Sequence, residues 1–380
     1  MRMISWLSAA SLLAAGLSGA AEPAEAPEHE CTSWMVFFDL TGSGRNFLHK
    51  NRDASSRNIA VLLSKPDSPR KWIGLGNTGK AGEFVCMGMN ASGLAGVMNS
   101  GEVCCENNDD PTKKGTPAIL RDILEKCDTA RQAVVRLEAL LAAKDYWHKK
   151  RGSIFFFMDP KEGYVCEITA RFCSPIRYDR GYVYRANIWH NPGLAQRSRS
   201  SVATITDSSL REYVARTFLN DRLDRNGRIT PDDSLELSRT IRVPENAPGT
   251  RSVCFKSTNS SATLVIDREF PDVLSFGRFA IGHPRHGICV PVPVCVEQVD
   301  RRMADLTWST AVWARFDKLG LEAPIPETWL DFEKNAFTEY DRYVEDARKL
   351  LKAGKKAEAA AMLNAEAAAI WQRAARLMGL

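Results

Sequence analysis

From Cys31 to about Val290 the chain alternates short apolar runs with Gly- and Asn-rich turns. Trp34–Phe38, Ile59–Leu63, Ile154–Met158, Val165–Thr169 and Ala262–Ile266 are short, rich in β-branched and aromatic residues, and predict buried strands. Two helices are predicted between them. Thr116-Pro117 opens one with Ile119, Leu120, Ile123, Leu124 and Cys127 on a single face. Thr129 caps the next with Gln132 three residues on, and Val134, Leu137 and Leu141 continue its apolar stripe. Ser209–Leu223 predicts a third. Strands and helices mixed in this way indicate an α+β class with layered packing.

Beyond Val299 the period changes to that of helices alone. Asp300–Leu319, Pro326–Ala353 and Lys355–Met378 are predicted helical, with Gly354 as the break between the last two. The Ala-rich stretch Ala357–Leu377 has an uneven apolar face, which suits either a packed helical extension or a contact between copies of the chain. The expected organisation is a mixed α+β unit over 31–299 and an accessory helical extension over 300–380.

The N-terminus reads differently. Met1-Arg2-Met3 is a short basic start, Ile4 to Gly19 is apolar, and small residues follow at Ser18-Gly19-Ala20-Ala21, the layout of a secretory leader over 1–21. Residues 22–30 are acidic and Pro-rich and form a short pro-segment that does not favour folding. The expected address is secreted or periplasmic, with no membrane span, because no other apolar run approaches the length a span requires.

Composition narrows the function classes. A chain of 380 residues with 44% hydrophobic and 26% charged residues is globular, neither disordered nor fibrous. A formal charge of +5, scattered rather than clustered, gives no nucleic-acid signature. Glycine-rich phosphate loops, paired-histidine zinc helices and serine-nucleophile elbows are absent. The calcium-loop spacing beginning at Arg222 places an arginine where the first ligand belongs, and His283-Pro284-Arg285-His286 with Cys289 reads as a turn. No metal or cofactor is expected.

The candidate chemistry starts at Cys31, directly after the pro-segment. A cysteine that becomes a mature N-terminus carries nucleophile and base together, since its free α-amine has a pKa near 8. The competing use of such a residue is half of a disulfide. His49-Lys50-Asn51-Arg52-Asp53 lies one strand-turn downstream, with Gly42 and Gly44 supplying the turn, so an antiparallel hairpin returns Asp53 beside Cys31. Gly88 to Asn99 reads as strand, Asn-x-x-Gly turn, strand, and Asn187 ends the strand Tyr182–Tyr184.

In order and spacing, Cys31-Thr32-Ser33-Trp34, Lys50-Asn51-Arg52-Asp53, the segment ending at Asn99 and Arg185-Ala186-Asn187 resemble the cysteine N-terminal-nucleophile hydrolases of the linear-amide type, nearest to the acyl-CoA:6-aminopenicillanate acyltransferase-like branch and related to choloylglycine hydrolase and penicillin V acylase. The likeness covers roughly Cys31 to Pro293. It implies an αββα sandwich and an amide hydrolase or acyltransferase. Cys31 would be the nucleophile, freed by self-cleavage of Glu30–Cys31. Asp53 would orient the α-amine, and Asn99 and Asn187 would serve the oxyanion. The resemblance also locates a departure: the family's arginine three residues before the aspartate is Lys50 here, a substrate-binding candidate without the planar fork. Arg52 is adjacent but is expected on the other side of an extended strand. A later family arginine would fall at Arg197 or Arg199.

The expected substrate is a small amide or peptide. Dipeptide hydrolysis on the same site is the alternative activity, and a disulfide-bonded binding module is the non-enzymatic one. Trp34, Phe37, Tyr184 and Trp189 are available to a pocket or to the core. Of the ten cysteines, Cys127 and Cys166 read as buried core thiols. Cys104, Cys105, Cys173, Cys254, Cys289 and Cys295 lie near turns and are expected as disulfide staples.

Overall fold

The computed structural model describes residues 29–79, 83–104, 110–148, 150–245, 247, 249 and 251–380. The expected leader, most of the pro-segment and Cys105 lie outside them. Two antiparallel sheets form the centre. The first runs in the order β10 (Tyr182–Arg185), β1 (His29–Val36), β2 (Asn46–Ala54), β11 (Thr258–Ile266), β12 (Phe276–Ile281) and β13 (Val290–Pro293). The second is a meander of β3 (Ile59–Leu63), β4 (Trp72–Asn77), β5 (Phe84–Asn90), β6 (Ala95–Val103), β7 (Arg151–Met158), β8 (Gly163–Ile168) and β9 (Cys173–Tyr178).

Helices close both outer faces. On the second sheet lie α2 (Thr116–Lys126) and α3 (Ala130–Ala142), whose apolar stripes build a cluster with Trp72, Phe155 and Phe157. The Thr129 cap is made, its side chain accepting from the Gln132 N–H. On the first sheet lie α5 (Val202–Asn226) and α6 (Pro231–Ser238), together with α9 (Thr307–Leu319), α10 (Glu327–Lys352) and α11 (Lys356–Met378). Short helical turns α1 (Phe38–Thr41), α4 (Pro192–Ala195), α7 (Pro271–Leu274) and α8 (Arg301–Ala304) connect these elements. The result is the expected four-layer αββα sandwich.

Three elements depart from the sequence pattern. Helix α5 begins at Val202, where Ser201 caps it by accepting from the Thr204 N–H. The predicted helix Asp300–Leu319 is broken at Leu306, whose φ of 72° turns the chain into α9. The uneven apolar face of α11 is covered within the chain: Ile370, Trp371, Ala374 and Ala375 are buried, and the Trp371 Nε1–H donates to Pro291 O at 2.7 Å. The C-terminal helices thus share the core of the first sheet.

The expected disulfides are not formed: the nine cysteines among the described residues are all free thiols. Cys166 and Cys173 are neighbours on β8 and β9, and both remain thiols. The Cys254 sulfur lies 4.0 Å from His283 Nε2, and the Cys289 N–H donates to Glu333. The Cys295 thiol lies against Val273 O and Asn364. Burial, not covalent stapling, defines these positions.

Candidate active site

Strand β1 alternates strictly, and that alternation sorts the chemistry onto two faces. Ser33 and Met35 turn toward the second sheet, where the Ser33 Oγ–H donates to Asn99 Oδ1 at 2.8 Å and Met35 meets Gly163. Cys31 shares that face and lines a cavity of about 390 Å³ with Arg52, Phe84, Cys86, Met98, Pro117 and Trp147. Glu30, Thr32 and Trp34 turn the other way, toward α5 and α6. The turn between β1 and β2 uses Gly42 in the left-handed region at φ 68°.

The register of the β1–β2 hairpin is Glu30 opposite Asp53, Cys31 opposite Arg52, and Ser33 opposite Lys50. Arg52 does face away from Asp53, as expected, but this puts it directly across from Cys31 and on the same side as Lys50. The Arg52 guanidinium donates to Asn77 Oδ1 at 2.5 Å. Lys50 is fully buried, and its ammonium donates to Met98 O at 2.6 Å and to Asn99 Oδ1 at 2.9 Å.

Asn99 accordingly has a framework position. Its oxygen accepts from Ser33 and Lys50, and its amide donates to the carbonyls of Arg185 and Ala186 at 3.2 and 3.0 Å. Both N–H groups are used, so the side chain holds in place the segment that presents Asn187. Asn187 itself reaches the candidate nucleophile: the Cys31 backbone N–H donates to Asn187 Oδ1 at 2.8 Å. The Asn187 amide donates to Ser100 O at 2.7 Å, and among the described residues its second N–H has no acceptor.

A charged cluster covers the opposite face of β1. Arg211, from α5, is fully buried and donates to Cys31 O at 2.6 Å, Thr32 Oγ1 at 3.2 Å and Asn187 Oδ1 at 2.9 Å. It is paired with Asp207 at 3.2 Å. Arg251 contacts the Glu30 carboxylate, lies 3.3 Å from Asp53 and 3.4 Å from Asp207, and stacks on Phe255. Asp53 also accepts from Thr258 Oγ1 at 2.6 Å. Burial raises the Asp53 carboxyl above its usual range, against the pull of Arg251 and Arg211. Burial likewise lifts Glu30 to about 7, opposed by the same two arginines.

Two sequence candidates fall elsewhere. Arg197 packs over the Phe172 ring, and Arg199 donates to Ser198 O; the guanidinium that touches Cys31 is that of Arg211, and Arg52 and Arg151 line its cavity. Neither Arg211 nor Arg251 carries a local motif, and each is brought in by contacts spanning most of the catalytic region, so no spacing signal announces them. Trp34 and Phe37 are core, and Trp189 packs against Gly152, where a Cβ would come within 2.3 Å of its ring. Tyr184 lines a separate hollow beside His190. His49 is no candidate base: it stacks on Trp34 at 4.0 Å, and burial lowers it to about 3. Among the described residues no cluster of metal-binding side chains occurs. No helix there is long and apolar enough to cross a membrane.

Among solved structures, the chain is similar to conjugated bile acid hydrolase from Clostridium perfringens, in two variants at 11% and 12% identity and a TM-score of 0.46; the match covers 71% of this chain and 95% and 96% of theirs. It is also similar to penicillin V acylase from Agrobacterium tumefaciens, at 13% identity and a TM-score of 0.43, over 69% of this chain and 86% of that one. No curated protein matches. A family model, acyl-coenzyme A:6-aminopenicillanic acid acyl-transferase, matches residues 40–243, more than half of the chain. The chain belongs to that acyltransferase family.

Proposed function

We propose that the protein is a secreted or periplasmic amidase or acyltransferase that works through Cys31 as an N-terminal nucleophile. Residues 1–21 direct export, and the segment 22–30 is removed by the chain itself. In that step Cys31 Sγ attacks the Glu30 carbonyl carbon, the C–N bond breaks as the thiol proton passes to the nitrogen, and water cleaves the resulting thioester. The products are a Glu30 carboxylate and a free Cys31 α-amine.

In turnover the α-amine accepts the thiol proton, and the thiolate attacks an unbranched amide carbonyl. The free N–H of Asn187 is the donor for the developing oxyanion, a contribution of about 3–4 kcal/mol when such a donor acts in a dry site. The amine leaves with the proton held by the α-ammonium, and water or a second amine releases the thioester. Asp53, tied to Arg251, orients the α-amine. Phe84, Met98, Pro117 and Trp147 offer the acyl group an apolar wall. Lys50 acts through Asn99.

The observation that carries this reading is the Cys31 nitrogen held by Asn187 while the Cys31 side chain lines a cavity. Cys31→Ala is expected to abolish turnover and to retain the residues ahead of position 31. Intact-mass measurement of that variant decides the matter, because normal processing without the thiol would rule self-cleavage out. Assay of a simple N-acyl amino acid beside an unblocked dipeptide separates acyl-amide cleavage from dipeptidase activity.

A further inference from the structure

The arginines beside Cys31 already hold a ligand, and it belongs to the chain. The Glu30 side chain is 2% exposed and lies against Arg251, with Arg211 3.8 Å away. The contact is one of charge, for neither Glu30 oxygen accepts a well-formed hydrogen bond among the described residues. Strand pairing continues on the same side of the Glu30–Cys31 bond, with Glu30 opposite Asp53 and His29 opposite Ala54. Glu30 aside, the partners that hold the two arginines lie downstream of that bond: Thr32, Asn187, Ser208 and Asp207 for Arg211, and Asp53, Asp207 and Phe255 for Arg251. The cradle therefore survives the cut described above.

Cutting moves its charge toward positive. Before it, two guanidiniums face three carboxylates, Glu30, Asp53 and Asp207. Hydrolysis takes up one water and leaves a carboxylate on Glu30 and an α-ammonium on Cys31. If the segment then departs, two guanidiniums and an ammonium face only Asp53 and Asp207, and a buried excess of positive charge is costly unless an anion answers it. The segment that has just left is such an anion twice over, with its side-chain and its new terminal carboxylate.

Resting on the function proposed above, we propose that the Arg251–Arg211 cradle is a carboxylate-binding subsite for peptides ending in glutamate. Its first ligand is the chain's own cut segment, which stays on the site as a product inhibitor. The side-chain carboxylate keeps the Arg251 contact, and the terminal carboxylate pairs with the α-ammonium. Activity then rises as the segment is diluted away.

The test uses processed protein and two synthetic peptides: Ala26-Pro27-Glu28-His29-Glu30, and the same sequence with Glu30→Gln, which keeps the terminal carboxylate and removes the side-chain charge. Each is titrated against the alkylation of Cys31 by iodoacetamide, read by mass on the N-terminal peptide. The glutamate peptide is expected to half-protect the thiol at a concentration roughly tenfold or more below the glutamine peptide. In Arg251→Met the ratio between the two peptides should fall toward one. Equal protection by both peptides, or protection by neither, overturns the subsite. A purified chain that does not begin at Cys31 overturns the maturation reading itself, and intact mass identifies that case before any peptide is added.

Discussion

Glu30 is the residue at which burial and charge compete most visibly. Its folded carboxyl is raised to about 7 from a usual 4.5, with burial outweighing Arg211 and Arg251. An acid whose pKa is raised on folding binds its proton more tightly in the native state, so stability falls as pH climbs from about 4.5 to about 7 and levels off above. Uncleaved Cys31→Ala protein should show that decline in denaturant midpoint, and adding Glu30→Gln should flatten it. An unchanged slope in the double variant would assign the decline to Asp53, which burial also raises. Asn99 offers a second case. Asn99→Ala strips one acceptor from the buried Lys50 ammonium and unpairs the carbonyls of Arg185 and Ala186. The expected loss is about 1–3 kcal/mol in urea unfolding, with kcat falling more than KM rises, because Asn187 loses its support.

Among the elements, the sequence was most readable where period and capping agreed. The helices behind Thr116 and Thr129 end within a residue or so of their predicted limits, because Pro117 and its apolar stripe specify the first and the Thr129 cap and its stripe specify the second. It was least readable where a single residue breaks the helical period or where the partners lie far apart in sequence. Nothing around Leu306 signals a left-handed residue; the break is set by Asp305, whose carboxylate accepts from the Thr307 N–H at 3.1 Å to start α9. The cysteines failed as staples for a related reason, since proximity to a turn says nothing about which sulfur lies opposite. That Cys31, Asp53 and Asn187 lie close together was legible because they stand near strand ends in a recognisable order. Arg211 and Arg251 were not, since their partners lie far away in sequence. The clasp between α6 and α10 is also a long-range product: Arg239 and Glu333 meet through paired contacts of 2.6 and 2.7 Å, both nearly unexposed. Glu333→Ala should cost about 3–5 kcal/mol by stranding Arg239, and Arg239→Met in the same chain should recover part of that loss.

For the molecule as a whole, the C-terminal helices are structural walls of the first sheet. Residues 300–380 bury Trp308, Tyr340, Val344, Ile370 and Trp371 into the same apolar cluster as Phe276, Phe279 and Val292. A chain ending at residue 299 would uncover that cluster, so it should be recovered aggregated, whereas the full chain should melt in one transition by calorimetry. A soluble, active truncated chain would show that the extension is dispensable.

Strand β1 is gripped on both sides, since Ser33 through Val36 pair at once with β10 and β2. Chain ends ordinarily fray, yet an end created at Cys31 would emerge inside a sheet, two residues from this double grip. Under the proposed cut before Cys31, a fluorophore joined ahead of residue 31 would be severed from the chain, so on a denaturing gel only uncut molecules would carry it. One joined after Leu380 would mark cut and uncut chains alike. The ratio of the two signals, read in the gel bands, would therefore act as a clock for that cut, with no need to know the substrate.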